Sequence, residues 1–378
     1  MSAPEPNPLD AYLLGMIDAQ ASDLFLNAGE PPTFRVHGQL IHAGENLPAP
    51  TEAQMHSFRD RLLTPIARTR FEESPDADVA YTLPGKARFR VNILLQQGNL
   101  AIIARLIPVG AVKFDTLHLP PQVLDMASSR KGLVLVVGPT GCGKSTTLAS
   151  MIHHINTTRR DHVVTIEDPI EFVHEPVNCL IHQRQVGVDT GSFATALRHV
   201  VRQSPDVILI GEMRDKDTME TALNAALTGH LVLSTMHTIS VVQSIDRILN
   251  YFPGEQQAQV RADLATTLVG MMAMRLLPRK DGSGRVPACE VLLGTSTVRR
   301  LVTEGKFSEL YDAMKRGKER GMVTLNQSLV DLVKSGQVDL DDALPHSPNP
   351  DEFNLNLQGM YTGVDSIDMR TRIKKKEP

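Results

Sequence analysis

The chain has 378 residues, 42% of them hydrophobic and 22% charged, which is enough for two or three domains that each bury a core. A formal net charge of −4 gives no global attraction to nucleic acid, so no nucleic-acid partner is expected. The three cysteines are widely spaced, which excludes an evident zinc ribbon and favours a reducing compartment. No apolar run approaches the about 20 residues that span a bilayer, and the N-terminus is unlike a signal peptide, so a cytoplasmic location is expected.

Residues 1–108 have the pattern of an α+β domain. An amphipathic stretch at 9–21 predicts a helix, and alternating runs between 22 and 41 predict two strands around a Pro-Pro turn. Thr51 followed by an acidic first turn predicts another helix. Three later runs predict hairpin strands: 78–83, 87–96 and 100–106. A linker is expected at 109–121.

From residue 122 the pattern changes to alternating helices and apolar strands, which is typical of a parallel α/β core, here placed at 122–290. The later part of that region, 255–277, predicts one long helix. Further helical segments define a C-terminal subdomain at 291–344. The remainder, 345–378, is rich in proline and ends in lysines, so it is predicted to be a disordered tail.

Residues 138–146 match the G-x-x-x-x-G-K-[ST] spacing of a phosphate-binding loop, between an apolar run at 133–137 and a helical pattern. Glycines allow the loop to turn its amides onto phosphates, and the helix N-terminus favours an anion. Lys144 is expected to reach the β- and γ-phosphates, and the Ser145 hydroxyl to bind Mg²⁺. The predicted ATP-binding residues are Gly138, Thr140, Gly141, Cys142, Gly143, Lys144, Ser145 and Thr146.

Two acidic clusters follow apolar strands. Glu212 comes after the run 206–210 in the manner of a Walker B element, where a carboxylate can hold the water shell of Mg²⁺. The second cluster, 167–171, follows the predicted strand 163–166. Because sites on parallel sheets lie at the carboxyl ends of the strands, both clusters are expected to face the nucleotide.

Three motifs beside the phosphate loop carry a family resemblance. The run TIEDPIEF at 165–172 resembles the Asp box of the secretion ATPase superfamily, DVILIGEMRD at 206–215 its Walker B, and TGHLVLSTMH at 228–237 its His box. Within that superfamily the chain, over about residues 9–344, resembles the type IV pilus retraction ATPases, the PilT/PilU family. The resemblance implies a PAS-like N-terminal domain, a RecA-like P-loop ATPase domain with a helical C-terminal part, and a homo-hexameric ring.

The resemblance also assigns roles to individual residues. It makes Glu171 the general base and Glu212 the Walker B carboxylate and metal ligand beside Ser145. His230 and His237 would line the nucleotide site as phosphate or inter-subunit sensors. Three basic residues of the N-terminal domain would approach the phosphates of an adjacent subunit: Arg88, Arg90 and Arg105. The alternative for these arginines is a role in surface ion pairs.

The implied function is an ATPase motor that drives pilus retraction and twitching motility at the inner membrane. An inner-membrane platform protein, and a second retraction ATPase, would be its partners. An accessory PilU-like role stays open, because the run 294–302 matches the C-terminal retraction motif only loosely. A pilus assembly or type II secretion ATPase is a further alternative. Cys142 stands where the family usually has Ser, which predicts some sensitivity to thiol oxidation.

Overall fold

The structure is a computed structural model that describes residues 8–36, 38–44, 46–107 and 112–360. The described chain divides into two compact units. The first is Met1–Gly110 with Glu167–Val173 and Gln183–Ser192; the second is Ala111–Ile166 with His174–His182 and Phe193–Pro378. Two segments of the region predicted as one ATPase domain therefore group with the N-terminal unit, a difference that sequence patterning does not reveal.

The N-terminal unit is an antiparallel sheet with helices. Its elements are α1 (Pro8–Asp18), β1 (Asp23–Asn27), β2 (Thr33–Val36), β3 (Gln39–His42), α2 (Glu52–Leu62), α3 (Pro65–Glu73), β4 (Asp76–Leu83), β5 (Ala87–Gln96) and β6 (Asn99–Ile107). The strands lie in the order β3-β2-β1-β6-β5-β4. Alternation along β5 buries Phe89, Val91 and Ile93 and leaves the residues between them half-buried, because successive side chains of a strand point to opposite faces.

The second unit contains a sheet with a parallel centre. Its first elements are α4 (Gln122–Ala127), β7 (Gly132–Val137), α5 (Lys144–Thr158), β8 (His162–Glu167), β9 (Leu180–Gln185), α6 (Phe193–Val200), β10 (Val207–Ile210), α7 (Lys216–Leu227), β11 (Leu231–Met236) and α8 (Val241–Asn250). The strands β7, β11, β10 and β8 are parallel neighbours and almost wholly buried, as expected for strands covered on both faces. The mixed α/β class expected from the sequence is confirmed.

The prediction of one long helix at 255–277 is wrong. The segment forms α9 (Gly254–Thr267) and then β12 (Leu268–Pro278), which pairs with β7 on one side and with β13 (Arg285–Leu293) on the other. The run from 268 onward is rich in Met, Leu and Ala, which favour helices locally. Burial on both faces of the sheet overrides that preference, because a central strand needs apolar residues at every position.

The C-terminal region is helical, with α10 (Ser296–Glu304), α11 (Leu310–Arg316), α12 (Leu325–Lys334), α13 (Leu340–Ala343) and α14 (Pro350–Leu357). The prediction of a disordered tail from residue 345 is wrong for the part described, up to residue 360. Phe353 of α14 is fully buried in a cluster with Leu325 and Leu329 of α12. The rest of the predicted tail, 361–378, and the first part of the predicted linker, to residue 111, lie outside the described residues.

None of the helices in the described part of the chain is both long and apolar enough to cross a membrane.

Candidate functional site

The phosphate loop joins β7 to α5. At Gly138 (φ +149°), a Cβ would lie 2.6 Å from both Cys142 Sγ and the Met274 carbonyl oxygen, so the loop leaves no room for a side chain. Gly143 adopts a left-handed conformation (φ +99°) that turns the chain into α5 at Lys144. The loop amides therefore stand at the N-terminus of a helix of 15 residues, a geometry that favours a phosphate.

Lys144 is folded into this loop. Its side chain is buried, and Nζ donates to the carbonyl oxygens of Gly138 at 2.9 Å and Pro139 at 3.0 Å. The ammonium group is thus held against the loop that would bind phosphate, and it is shielded from solvent. Ser145 and Thr146 are half-buried in the first turn of α5.

Cys142 departs from the expectation of a reactive thiol. Its side chain is buried, and that burial raises the pKa of the thiol above its usual value despite the nearby charge of Lys144. Because the thiolate is the form that oxidises readily, this environment opposes the predicted sensitivity to oxidation.

Two further residues support the loop and are not marked by any sequence motif. Thr147 Oγ1 donates to the Gly143 carbonyl at 3.0 Å and contacts Met274 Sδ at 3.5 Å. Met274 lies on β12, so its place beside the loop depends on a strand that the sequence pattern predicts to be a helix. Local sequence therefore gives no signal for this contact.

Glu212 and His237 lie at the same edge of the sheet as the loop. In the parallel register Met236 pairs with Val137 and Ile210 with Ser234, so the residues after β7, β10 and β11 emerge together. The Thr235 hydroxyl donates to the Gly211 carbonyl at 2.6 Å and fixes the turn that carries Glu212.

The carboxylate of Glu212 is mostly buried. One oxygen, Oε1, pairs with Arg214 Nη2, while Oε2 lies 3.3 Å from His237 Nε2 without hydrogen-bond geometry. Glu212 Oε2 has no hydrogen-bond partner among the described residues. A buried carboxylate oxygen left unsatisfied is what a Mg²⁺ ion or its water shell would require, so this residue fits the predicted metal role beside Ser145.

The surroundings of His237 keep its imidazole neutral. Burial lowers its pKa first, and the charges of Lys144 and Arg214 lower it further, against the opposing effect of Glu212. A neutral imidazole can donate or accept a hydrogen bond without adding charge to the site.

Within one chain the structure does not bring His230 to the sheet edge that carries His237, and its inter-subunit role stays a prediction. His230 directly precedes β11, and its carbonyl accepts a hydrogen bond from the amide of Gly132, the first residue of β7. The phosphate loop begins after the last residue of β7, so the length of a six-residue strand, about 20 Å, separates His230 from it. Its Nδ1 instead lies 2.9 Å from the Ala225 carbonyl at the end of α7.

Glu171 and the three arginines lie in the N-terminal unit. The Glu171 side chain is exposed, and its amide donates to Glu167 Oε2 at 3.3 Å. Its carboxylate contributes to a raised pKa of Arg90, although the main cause is the hydrogen bond of Arg90 to Asp78. The charge of Glu171 is therefore near enough to affect Arg90, and no strand of the parallel centre carries either residue.

Arg88, Arg90 and Arg105 share one face of the antiparallel sheet, since Arg90 is paired with Arg105 in register and Arg88 is two residues away. Arg105 Nε donates to the buried Asp23 at 2.7 Å, and Arg90 pairs with Asp78 at 3.2 Å. Arg88 Nη2 donates to Gln185 at 3.2 Å, but its Nε is buried without a hydrogen-bond partner in the described structure. Burial lowers the pKa of Arg88, and Arg88 is the one of the three arginines that forms no ion pair with a carboxylate among the described residues.

A phosphate loop on a parallel sheet, with a buried carboxylate at the same edge, defines a P-loop nucleotide-binding protein. The chain belongs to the Type II/IV secretion system protein family, whose model matches residues 2–314. It is 42% identical over 333 residues to the type IV pilus retraction ATPase PilT of Pseudomonas aeruginosa, covering 88% of this chain and 96% of PilT.

Two further relatives extend that similarity. The type IV pilus ATPase PilU of the same organism is 36% identical over 358 residues, which are 94% of this chain and 93% of PilU. A crystal structure of the pilus retraction motor PilT with bound ADP superposes with a TM-score of 0.84 at 42% identity, covering 90% of this chain and 97% of that one. The predicted resemblance to the retraction ATPases is confirmed.

Proposed function

We propose that this protein is an ATPase that drives the retraction of a type IV pilus, and thereby twitching motility. One observation carries the proposal: Lys144 and Glu212 follow strands that end at the same sheet edge, in a chain 42% identical to a pilus retraction ATPase over 88% of its length. ATP is the nucleotide expected, since the retraction ATPase PilT is a relative and its crystal structure holds ADP.

The residues divide the chemistry between them. Lys144 and the loop amides of residues 140–146 would bind the phosphates, and Glu212 with Ser145 would hold Mg²⁺, whose charge would offset that of the phosphates. His237, neutral and facing Glu212, is placed to sense the γ-phosphate by hydrogen bonding. Glu171 is the proposed general base for the attacking water.

The proposed assembly is a homo-hexameric ring whose subunits each have a PAS-like N-terminal domain and a RecA-like ATPase domain. Arg88 forms no ion pair among the described residues, whereas Arg90 and Arg105 each pair with an aspartate, and this supports a role of Arg88 toward an adjacent subunit. In that ring Arg90 and Arg105 would lie beside Arg88 on the same face of the antiparallel sheet and add to its positive charge. The cytoplasmic ring would dock on an inner-membrane platform protein of the pilus.

An accessory, PilU-like role is the second candidate. It is favoured by the wider overlap with PilU, which extends over 94% of this chain against 88% for PilT. The two roles differ in what loss of the protein does to the cell. Loss of the main retraction ATPase abolishes twitching, whereas loss of an accessory one reduces it or leaves it intact.

The test combines chemistry with motility. Glu171→Gln in the purified protein is expected to bind ATP but to hydrolyse it about 100-fold more slowly, the lower range for loss of a general base. Glu175→Gln, an exposed glutamate nearby, is the matched control and is expected to hydrolyse ATP at the wild-type rate. A Glu171→Gln rate within about threefold of wild type would assign the base elsewhere.

In cells, deletion of the gene should leave surface pili but no twitching, and a Glu171→Gln copy should not restore motility. Bald cells would indicate a pilus assembly ATPase, and wild-type twitching would indicate the accessory role.

A further inference from the structure

Glu290 is a buried carboxylate that the proposed chemistry does not use. It lies on β13 opposite Ala273 of β12, and Ala273 is paired in turn with Val137, the last residue before the phosphate loop. Its side chain is only 4% exposed. An ionisable group is therefore buried at the level of the nucleotide site, two strands away from the loop.

The carboxylate meets the N-terminus of α8. Glu290 Oε2 accepts a hydrogen bond of 3.2 Å from the amide of Val241, the first residue of that helix. A helix N-terminus carries a partial positive charge, so an ionised Glu290 attracts the start of α8 more strongly than a neutral one does.

The start of α8 is tied to the segment that carries His237. The Thr238 and Ser244 hydroxyls lie 2.5 Å apart, and Ser244 Oγ donates to the Ser240 carbonyl at 2.8 Å. Arg247 of α8 donates to the carbonyl oxygen of His237 itself at 3.2 Å. The residues from His237 to Ser240 are therefore hydrogen-bonded to α8, so that a shift of the helix would be passed to His237.

We propose that Glu290 is a positioning residue for ATP hydrolysis: by holding the N-terminus of α8, its carboxylate fixes His237 opposite Glu212. The inference rests on the proposed ATPase function. It adds that protonation of Glu290 lowers the rate of ATP hydrolysis at the same site. Glu290 touches neither nucleotide nor metal, so it acts only through α8 and His237.

Protonation of Glu290 is expected near neutral pH. Burial raises its pKa to about 7, while the Val241 amide and the charge of Arg275 partly oppose the rise. In the described structure the titratable groups that face it are Arg275 from β12 and Tyr311 from α11, whose own pKa is raised. Below pH 7 the carboxyl group is mostly neutral, and its electrostatic attraction to the N-terminus of α8 weakens. Above pH 7 it is mostly ionised, and that attraction is strongest.

The test compares ATP hydrolysis by the wild-type full-length protein and by Glu290→Gln between pH 6 and pH 8. Glutamine keeps an acceptor for Val241 but stays neutral, so the two proteins should match at pH 6. At pH 8 the wild type should be about three- to tenfold faster, the range expected for a charge at a helix terminus. Glu255→Gln, an exposed glutamate in the first turn of α9, should follow the wild-type profile throughout.

A stability measurement separates positioning from damage to the fold. Because the pKa of Glu290 is raised on folding, the unfolded chain ionises first, and the wild type loses stability as pH rises from about 4.5 to about 7. Glu290→Gln lacks this loss and should melt at the same or a higher temperature than wild type at pH 8. If Glu290→Gln hydrolyses ATP more slowly than the wild type at pH 8 but is at least as stable, the loss of rate supports a positioning role for Glu290.

The link through His237 is tested by a double mutant. In a His237→Ala protein the further change Glu290→Gln should have no effect on the residual rate at pH 8. A wild-type to Glu290→Gln ratio that stays constant from pH 6 to pH 8, or additive effects in the double mutant, would overturn the inference. A wild-type protein that hydrolyses no ATP at any pH would instead overturn the proposed function, and this inference with it.

Discussion

At the scale of single residues, one motif contributes histidines to two separate places. His230 and His237 flank β11, and a six-residue strand carries the chain from one edge of the sheet to the other. The spacing alone could have excluded a shared site, once the apolar run between the two was taken as a buried strand. The sequence motif groups them, whereas the strand separates them.

This separation gives a residue-scale prediction. His237→Ala should lower the rate of ATP hydrolysis about tenfold, because a hydrogen bond to a charged phosphate is worth about 1.5 kcal/mol. His230→Ala is the matched control and should hydrolyse ATP at close to the wild-type rate, since its ring contacts the end of α7. Steady-state rates at saturating ATP measure both variants. Equal losses in the two variants would instead indicate that His230 acts on the site of an adjacent subunit, the inter-subunit role that the resemblance implies.

Some of the site is predictable from local sequence and some is not. The phosphate loop and Lys144 are predictable from a motif, and Glu212 from an acidic residue directly after a buried strand. Both signals work because a parallel sheet binds its ligands at the carboxyl ends of its strands. Met274 and Glu290 reach the site only through the pairing of β12 with β7 and with β13. That pairing joins β12 to a strand more than a hundred positions earlier in the chain, and no local pattern encodes it.

At the scale of elements, two predictions fail for the same reason: the single helix at 255–277 and the disordered tail from residue 345. The strand β12 is built from residues that favour helices, and the helix α14 from a short polar run that favours a turn or a tail. Each adopts its structure because of what it packs against. For α14 the partner is α12, and the contact is reinforced by Lys334 Nζ, which donates to the Asn356 carbonyl at 2.7 Å.

The packing of α14 gives an element-scale prediction. Phe353→Ala should lower the free energy of unfolding by about 3–5 kcal/mol, the usual cost of removing a fully buried phenyl ring. Urea denaturation followed by circular dichroism measures the change. Met360→Ala removes a side chain that is 50% exposed just after α14, and should change the stability by less than about 0.5 kcal/mol. A neutral Phe353→Ala would mean that α14 is not part of the folded core.

At the scale of the whole molecule, the sequence predicts an N-terminal α+β region and a later parallel core, and the structure contains both kinds of sheet. The sequence does not predict that Glu167–Val173 groups with the N-terminal unit. Glu171, the proposed base, therefore belongs to the same unit as Arg88, Arg90 and Arg105, which are proposed to act between subunits. Turnover and assembly are therefore expected to be coupled.

Mixing experiments test that coupling. Arg88→Ala and Lys144→Ala subunits should each be inactive in pure form, the first for lack of a transition-state charge and the second for lack of phosphate contacts. If Arg88 acts on the neighbouring subunit, a ring with both subunit types contains sites that combine an intact Lys144 with an intact Arg88. Random equal mixing of a closed ring then restores about one quarter of the sites.

The measured quantity is ATP hydrolysis after the two variants are unfolded together, refolded and compared with each variant alone. Arg61→Ala is the control, because Arg61 already bonds Tyr81 and Asp10 within its own unit and should leave the rate unchanged. Arg88 is the arginine to choose, since it forms no ion pair in the described chain, while Arg105 is paired with Asp23 and Arg90 with Asp78. If hydrolysis does not recover at any mixing ratio, Arg88 acts within its own subunit, and its contact with Gln185 is the state in which it works.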